Sequence, residues 1–416
     1  MTKRRSAKAS RRSGAEWARR GILAATAAIT GYFAVSNSVA HVIERADADR
    51  AHMIAPRAGV FTAAAAEQNF SMSAEADATS PAARLARLAL RQDATATNAL
   101  NVLALQAQMR NETEKTRKIF RYSLALSRRE LQPQLWTIEE AVGRGDIKGA
   151  LRGYDTALRT SARAKEILFP VLSTALVEPR VRAELLPIIA SRPAWSGAFL
   201  AYLVNSSSEP LAALSFIRMA EKRGLAITDD DRALLVNALA SAEGYKQAWD
   251  YYSTFHPEAD RSQSRDPEFT SGAGVKTLFD WRATEDPELS AVILGGKAGG
   301  ALDFAVPSTI GGVLMSQTQL LPPGIYRFQG RSSGIDQPRH SQPYWLLRCR
   351  DGRELGRVSV PNSDQNNGEF EGEFQVRADC PEQTLVLVAR ASESVSGLLG
   401  QINFAALTPA RETGRR

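Results

Sequence analysis

The 416-residue chain is poor in the side chains that most often carry chemistry, with two cysteines and four histidines. His41, His52, His256 and His340 are scattered. No HExxH, no Cys/His pair and no carboxylate cluster at metal-ligand spacing accompanies them, so no metal site and no cofactor is expected. Basic charge is also missing from most of the chain. The formal net charge is +7, from 52 Lys+Arg against 45 Asp+Glu, yet residues 1–20 alone hold eight basic residues and one acid, Glu16. The remainder balances to zero, which argues against a nucleic-acid-binding face and leaves a neutral protein with a basic leader. Lysine is scarce too, at 10 residues against 42 arginines. Beside abundant alanine, that pattern fits a GC-rich bacterial coding bias better than a need for guanidinium groups.

Directly after Arg20 comes an uncharged run, residues 21–43. As a helix, 23 residues would span roughly 35 Å, enough to cross about 30 Å of hydrocarbon. The basic excess lies entirely on its N-terminal side. The positive-inside rule then puts residues 1–20 in the cytoplasm and the bulk of the chain across the membrane, in a periplasm. Ser38-Val39-Ala40 has the form of a signal-peptidase site, so cleavage after Ala40 is the competing reading, and a buried soluble helix is a third. In an exported chain, Cys349 and Cys380 are expected to pair; two unpaired buried thiols are the alternative.

Residues 80–160 repeat at an interval of 34. Ala82, Thr116 and Ala150 share one register; Ala86, Phe120 and Tyr154 a second; Ala89, Ser123 and Ala157 a third; Leu90, Leu124 and Leu158 a fourth. A small residue, an aromatic (or Ala), a small residue and Leu at offsets 0, 4, 7 and 8 resemble the second helix of a tetratricopeptide repeat. Each helix pair then buries its apolar stripe against the next. The pattern blurs over 161–210, where Pro170, Pro179, Pro187 and Pro193 suggest shorter, irregular helices, and returns with Ala213, Ile217, Ala220, Ala248, Tyr252 and Phe255. The resemblance implies a solenoid over 45–256 that holds a protein partner in the envelope. Arg117, Lys118, Arg121, Arg128 and Arg129 are read as a solvated helix face.

Residues 257–275 are polar and read as a linker. Strand grammar follows over 276–408, with ten short candidate strands and turns at Asp351-Gly352 and Pro322-Pro323-Gly324, arguing for a β-sandwich. Residues 409–416 read as a disordered tail. The sandwich loosely resembles the jelly-roll domains of carbohydrate-binding modules, in which aromatic rings stack on sugar faces. The resemblance makes Trp281, Tyr326, Tyr344 and Trp345 the candidates for such stacking, with burial in the core as the alternative. Tyr344 and Trp345 are adjacent and must point to opposite faces.

Two motifs need weighing. Gly330-Arg331-Ser332-Ser333-Gly334 fits G-x-S-x-G, with Asp336 and His340 following in hydrolase order, but the residues after it do not read as the helix a nucleophile elbow requires. The glycine-rich stretch 295–300 lacks the spacing of a phosphate loop and reads as a hairpin loop. The expected architecture is therefore multidomain: one transmembrane helix, an all-α solenoid and an all-β sandwich. This layout is similar to uncharacterised alphaproteobacterial exopolysaccharide-assembly proteins. That similarity implies a non-enzymatic scaffold in the bacterial inner membrane, contacting polysaccharide or another subunit. A glycan-active enzyme and a pure glycan-binding module are the alternatives.

Overall fold

The computed structural model describes residues 14–410, apart from 272–273, 297–298 and 393–396. The chain forms two compact units, Met1–Leu168 and Phe169–Arg416. The first contains α1 (Gly14–Ile43), α2 (Ala48–Ile54), α3 (Gly59–Met72), α4 (Pro81–Gln92), α5 (Thr97–Met109), α6 (Thr113–Leu126), α7 (Leu131–Gly143) and α8 (Ile147–Thr160). α1 is long and apolar enough to cross a membrane. It is longer at its N-terminal end than the uncharged run, because Arg19 and Arg20 are compatible with helix.

Helices α3 to α8 pack as successive antiparallel hairpins, and the repeat registers account for their burial. Ala82, Ala86 and Ala89 on α4, Thr116, Phe120 and Ser123 on α6, and Ala150, Tyr154 and Ala157 on α8 are all buried. The small positions let helices approach closely, and the aromatic fills the gap: Phe120 lies 5.5 Å from the Trp136 ring on α7. Burying a side chain like Phe120 contributes roughly 2–3 kcal/mol. The turns inside two hairpins also repeat, since Asn111 and Gly145 both take the left-handed conformation that closes a helix end. Side-chain caps start several helices: Ser80 accepts from the Ala83 amide and Asp146 from the Gly149 amide.

In the second unit come α10 (Pro179–Ala190), α11 (Ser196–Ser206), α12 (Pro210–Lys222), α13 (Asp229–Ser241) and α14 (Tyr245–Phe255); α9 (Ala164–Ala175) spans the boundary between units. The prolines of this region shorten the helices less than expected. Pro179 and Pro210 sit in first turns, where no amide donor is needed, while Pro170 and Pro187 lie inside α9 and α10. Phe169, Trp195 and Phe199 form an aromatic cluster beneath them.

Two five-stranded antiparallel sheets follow, made from β1 (Arg282–Ala283), β2 (Ser290–Leu294), β3 (Ala301–Val306), β4 (Gly312–Gln319), β5 (Gly324–Ser333), β6 (Tyr344–Cys349), β7 (Glu354–Ser359), β8 (Glu369–Val376), β9 (Gln383–Ala389) and β10 (Leu398–Pro409). One sheet has the order β1-β4-β9-β6-β7 and the other β2-β3-β10-β5-β8. Alternate residues of β5 and β8 face inward: Tyr326, Phe328, Phe370 and Phe374 join Trp281, Trp345, Leu385 and Leu407 in the core between the sheets. The glycine-rich stretch is the loop between antiparallel β2 and β3; Lys297 and Ala298 lie outside the described residues, as do residues 1–13 of the leader and 411–416 of the tail. Cys349 and Cys380 form a disulfide.

Residues read as a linker contribute buried contacts. The Ser264 amide donates to the Leu407 carbonyl, the Ala405 amide to the Pro267 carbonyl, and the Trp281 indole N–H to the Asp266 carbonyl. Arg265 is buried, with its guanidinium 5.2 Å from the Trp249 ring of α14 and 5.6 Å from Phe279.

Candidate functional site

Strand β5 alternates strictly, so the residues opposite its core set, Arg327, Gln329 and Arg331, project from the outer face. On β8 the same rule projects Glu369, Glu371 and Glu373. Strand register brings these sets together. Arg331 stands opposite Phe404 on β10 and Glu369 on β8, Gln329 stands opposite Glu371, and Arg327 is ion-paired with Glu371.

An open groove of about 1120 Å³ lies over this part of the sheet. Gln329, Arg331 and half-buried Phe404 line it, together with Glu369 and Glu371; Glu268 and the turn Asn366-Asn367 add to the lining. The turn has an unusual backbone. Asn366 (φ 47°), Asn367 (φ 54°) and Gly368 (φ 76°) are left-handed in succession within the 3₁₀ turn Gln365–Gly368. Asparagine tolerates this conformation better than most residues, and such strain tends to collect at functional sites. At Gly368, a Cβ would lie 2.0 Å from the Ser332 carbonyl oxygen. Gly368→Ala should therefore cost about 1–3 kcal/mol, read as a lower urea midpoint. An unchanged midpoint would show that the turn can relax.

The amides of Asn366 and Asn367 and the Arg331 guanidinium make no side-chain hydrogen bond within the protein among the described residues. They are left to meet a solute. Beside the groove the outer face carries a bonded polar row: Ser333 donates to Asn403 Oδ1 (3.0 Å), and Gln401 Nε2 to Asp303 Oδ1 (2.9 Å). This arrangement suits a ligand rich in hydroxyl groups, since amides and a guanidinium fork offer paired donors, carboxylates accept, and Phe404 offers apolar area.

Most of the aromatic residues proposed for stacking lie elsewhere. Trp281, Tyr326 and Trp345 are at most 3% exposed and belong to the core, because the inward positions of a sandwich need the largest apolar side chains. Tyr344 is half-buried on the opposite sheet, and its ring already carries two guanidinium groups, Arg357 at 4.9 Å and Arg390 at 4.5 Å. The groove residues themselves escaped the sequence reading. The signal was present in β8, where Phe370, Phe374 and Val376 mark the inner face and hence give Glu369, Glu371 and Glu373 the outer one.

The G-x-S-x-G serine points inward. Ser332 is 3% exposed, with its hydroxyl 3.1 Å from that of Ser363, and Gly330 is required because a Cβ there would lie 2.2 Å from the Phe370 ring. Among the described residues, no group of three or more His, Cys, Asp or Glu side chains could hold a metal ion.

No family model and no curated protein matches the chain. Solved structures similar to it include TmCBM61 in complex with β-1,4-galactotriose, at 15% identity over 35% of this chain and 97% of that one (TM-score 0.25). The CBM22-1 xylan-binding domain of Paenibacillus barcinonensis Xyn10C is 12% identical over 34% and 90% (TM-score 0.22). The accessory secretory protein 1, 2 and 3 structure from Streptococcus pneumoniae is 11% identical over 31% and 90% (TM-score 0.22).

Proposed function

We propose that the protein is a non-enzymatic envelope protein, anchored by α1 in a bacterial inner membrane, that holds a glycan chain in the groove over β5, β8 and β10. The observation that carries this reading is the set of unengaged polar side chains, Arg331, Asn366 and Asn367, gathered beside Phe404 in an open groove. An open groove of about 1120 Å³ has room for several sugar units. In this reading the helical hairpins, which resemble tetratricopeptide repeats, hold a protein partner, and the assembly serves surface polysaccharide assembly or export. The N-terminus is cytoplasmic and the sandwich periplasmic, where the disulfide is stable.

Of the groove's three acids, Glu369 and Glu371 sit two residues apart on one strand, about 7 Å along it and on the same face, and Glu268 comes from the segment before β1. Affinity electrophoresis of the purified chain in gels containing neutral or acidic polysaccharides tests the proposal. At least one polymer should retard the protein, and Arg331→Ala should weaken binding about tenfold, the loss of one charge-assisted hydrogen bond. No reducing ends should appear on incubation. Retardation by no polymer, or retardation that Arg331→Ala and Asn367→Ala leave unchanged, would remove the glycan reading.

A further inference from the structure

The junction between α1 and the hairpins carries a second interaction surface. α1 continues without a break beyond the length a bilayer needs. From Arg20, about 30 Å of hydrocarbon ends some 20 residues later, near Ala40. Ala40 is not free, however. It is fully buried in a cluster with Ala51, Ala55 and Phe61. One face of the last turns of the anchor helix, with Ser36 and Ala40, is therefore packed in protein at the depth where the membrane should end.

The direction of α2 decides what else lies at that depth. α2 and α3 run antiparallel: the Ala48 amide donates to Gln68 Oε1, Asn69 Nδ2 to Asp49 Oδ1, and Thr62 Oγ1 lies 3.0 Å from His52 Nδ1. Since Ala51 and Ala55 pack on Ala40, α2 folds back along α1, and its C-terminal end returns towards the bilayer. The turn into α3 is then the membrane-side tip of the hairpin. Its exposed residues fit that place. Met53 is 77% and Val60 49% exposed, and Val39 of α1 is 45% exposed. Pro56 has no amide to desolvate, and Arg57 makes no ion pair among the described residues. Of the acids in this region, Glu44, Asp47 and Asp49 lie at the other end of α2, roughly 10 Å away at 1.5 Å per residue, while Asp93, which follows α4, packs on Gly59 and turns its carboxylate to the Thr95 amide and hydroxyl.

We propose that the α2–α3 turn, residues 53–60, is a membrane-contact surface. Met53, Pro56 and Val60 enter the boundary between acyl chains and headgroups, and Arg57 meets lipid phosphates. The partner is the phospholipid leaflet from which α1 emerges. This inference rests on α1 being a retained anchor. It implies that the first hairpin lies against the membrane instead of swinging on a tether.

The test uses the full chain in phospholipid vesicles, with single cysteines labelled by a small fluorophore; the native pair is disulfide-bonded and does not compete. Lipids carrying a quencher near the headgroup should dim the label about twofold at Met53→Cys and Val60→Cys, at the 5–10 Å depth of interfacial insertion. They should leave it unchanged at Met72→Cys, which is 67% exposed at the far end of α3. Lipids quenched at mid-chain should dim Ile29→Cys. Quenching at Ile29 but not at positions 53 and 60 would overturn the contact surface and leave the anchor standing. No quenching at Ile29 would overturn the anchor and the inference with it. Equal quenching at Met72 would show non-specific adsorption and overturn the inference alone.

Discussion

Arg265→Ala will destabilise the second unit by about 3–5 kcal/mol, lowering its melting temperature by roughly 10 °C. The guanidinium is buried, and no carboxylate pairs with it within 4 Å among the described residues. Its Nε donates to the Phe279 carbonyl (2.5 Å), one terminal nitrogen donates to the Thr318 carbonyl, and the other lies 3.4 Å from Gln319 Oε1. The Trp249 and Phe279 rings cover its faces. Burial pulls its pKa down to about 10, so it is still charged at neutral pH. Nearby, the Tyr252 hydroxyl donates to Asp280 at 2.9 Å, and burial holds that phenol above its ordinary range. Truncation would leave two carbonyls and Gln319 without their donor, and a cavity under two aromatic rings. Lysine should recover part of the loss, because it keeps a charge but cannot fork between two carbonyls or stack in the same way. The melting temperatures of both variants, measured in the detergent-solubilised chain, check this. A loss below about 1 kcal/mol for the alanine variant would mean that water replaces the guanidinium at little cost. Since Trp249 belongs to α14 and Thr318 to β4, the variant should also loosen the helices of this unit from its sandwich.

Arg265 shows where sequence reading stops. Residues 257–275 look like a linker because polar, charged and glycine residues are the composition of exposed chain. Nothing local marks one arginine as buried: its partners are 14 residues away at Phe279, 53 at Thr318 and 54 at Gln319. The helical repeat was legible for the opposite reason. Ala82, Thr116 and Ala150 recur at a fixed interval because each helix meets its neighbour in the same way, so a local pattern carries the packing. The sandwich lies between these cases. Alternation in β8 carries a signal for its inner face, but sequence does not show which strands neighbour it, so the meeting of Arg331, Phe404 and Glu369 is out of reach. Of the two readings open for the aromatic residues, Trp281, Tyr326 and Trp345 take the core one, because they fill the space between the sheets. The left-handed pair Asn366-Asn367 was hidden in another way, since asparagine is at home in any turn.

Replacing both cysteines with serine should cost about 3–4 kcal/mol, from the entropy released to the unfolded chain by opening a loop of this length. The bond joins positions 31 residues apart. What lies inside the loop gives the effect a location. The loop contains β7, the 3₁₀ turn with Asn366 and Asn367, and β8. β7 and β8 are two of the four edge strands, one in each sheet, and each is hydrogen-bonded to a neighbour strand on one side only. The turn and Glu369 also line one side of the groove. Without the bond, this part of the sandwich is the one most easily opened, and local opening costs less than global unfolding. The double variant should therefore lose polysaccharide retardation at a temperature below its own melting point, while the oxidised parent binds until it melts. Hydrogen exchange should rise first in β7 and β8 and later in β6 and β9, which are paired on both sides. The outcome that would defeat this argument is a double variant with the parent's melting temperature and unchanged exchange in both edge strands, since the loop would then be held by its packing alone.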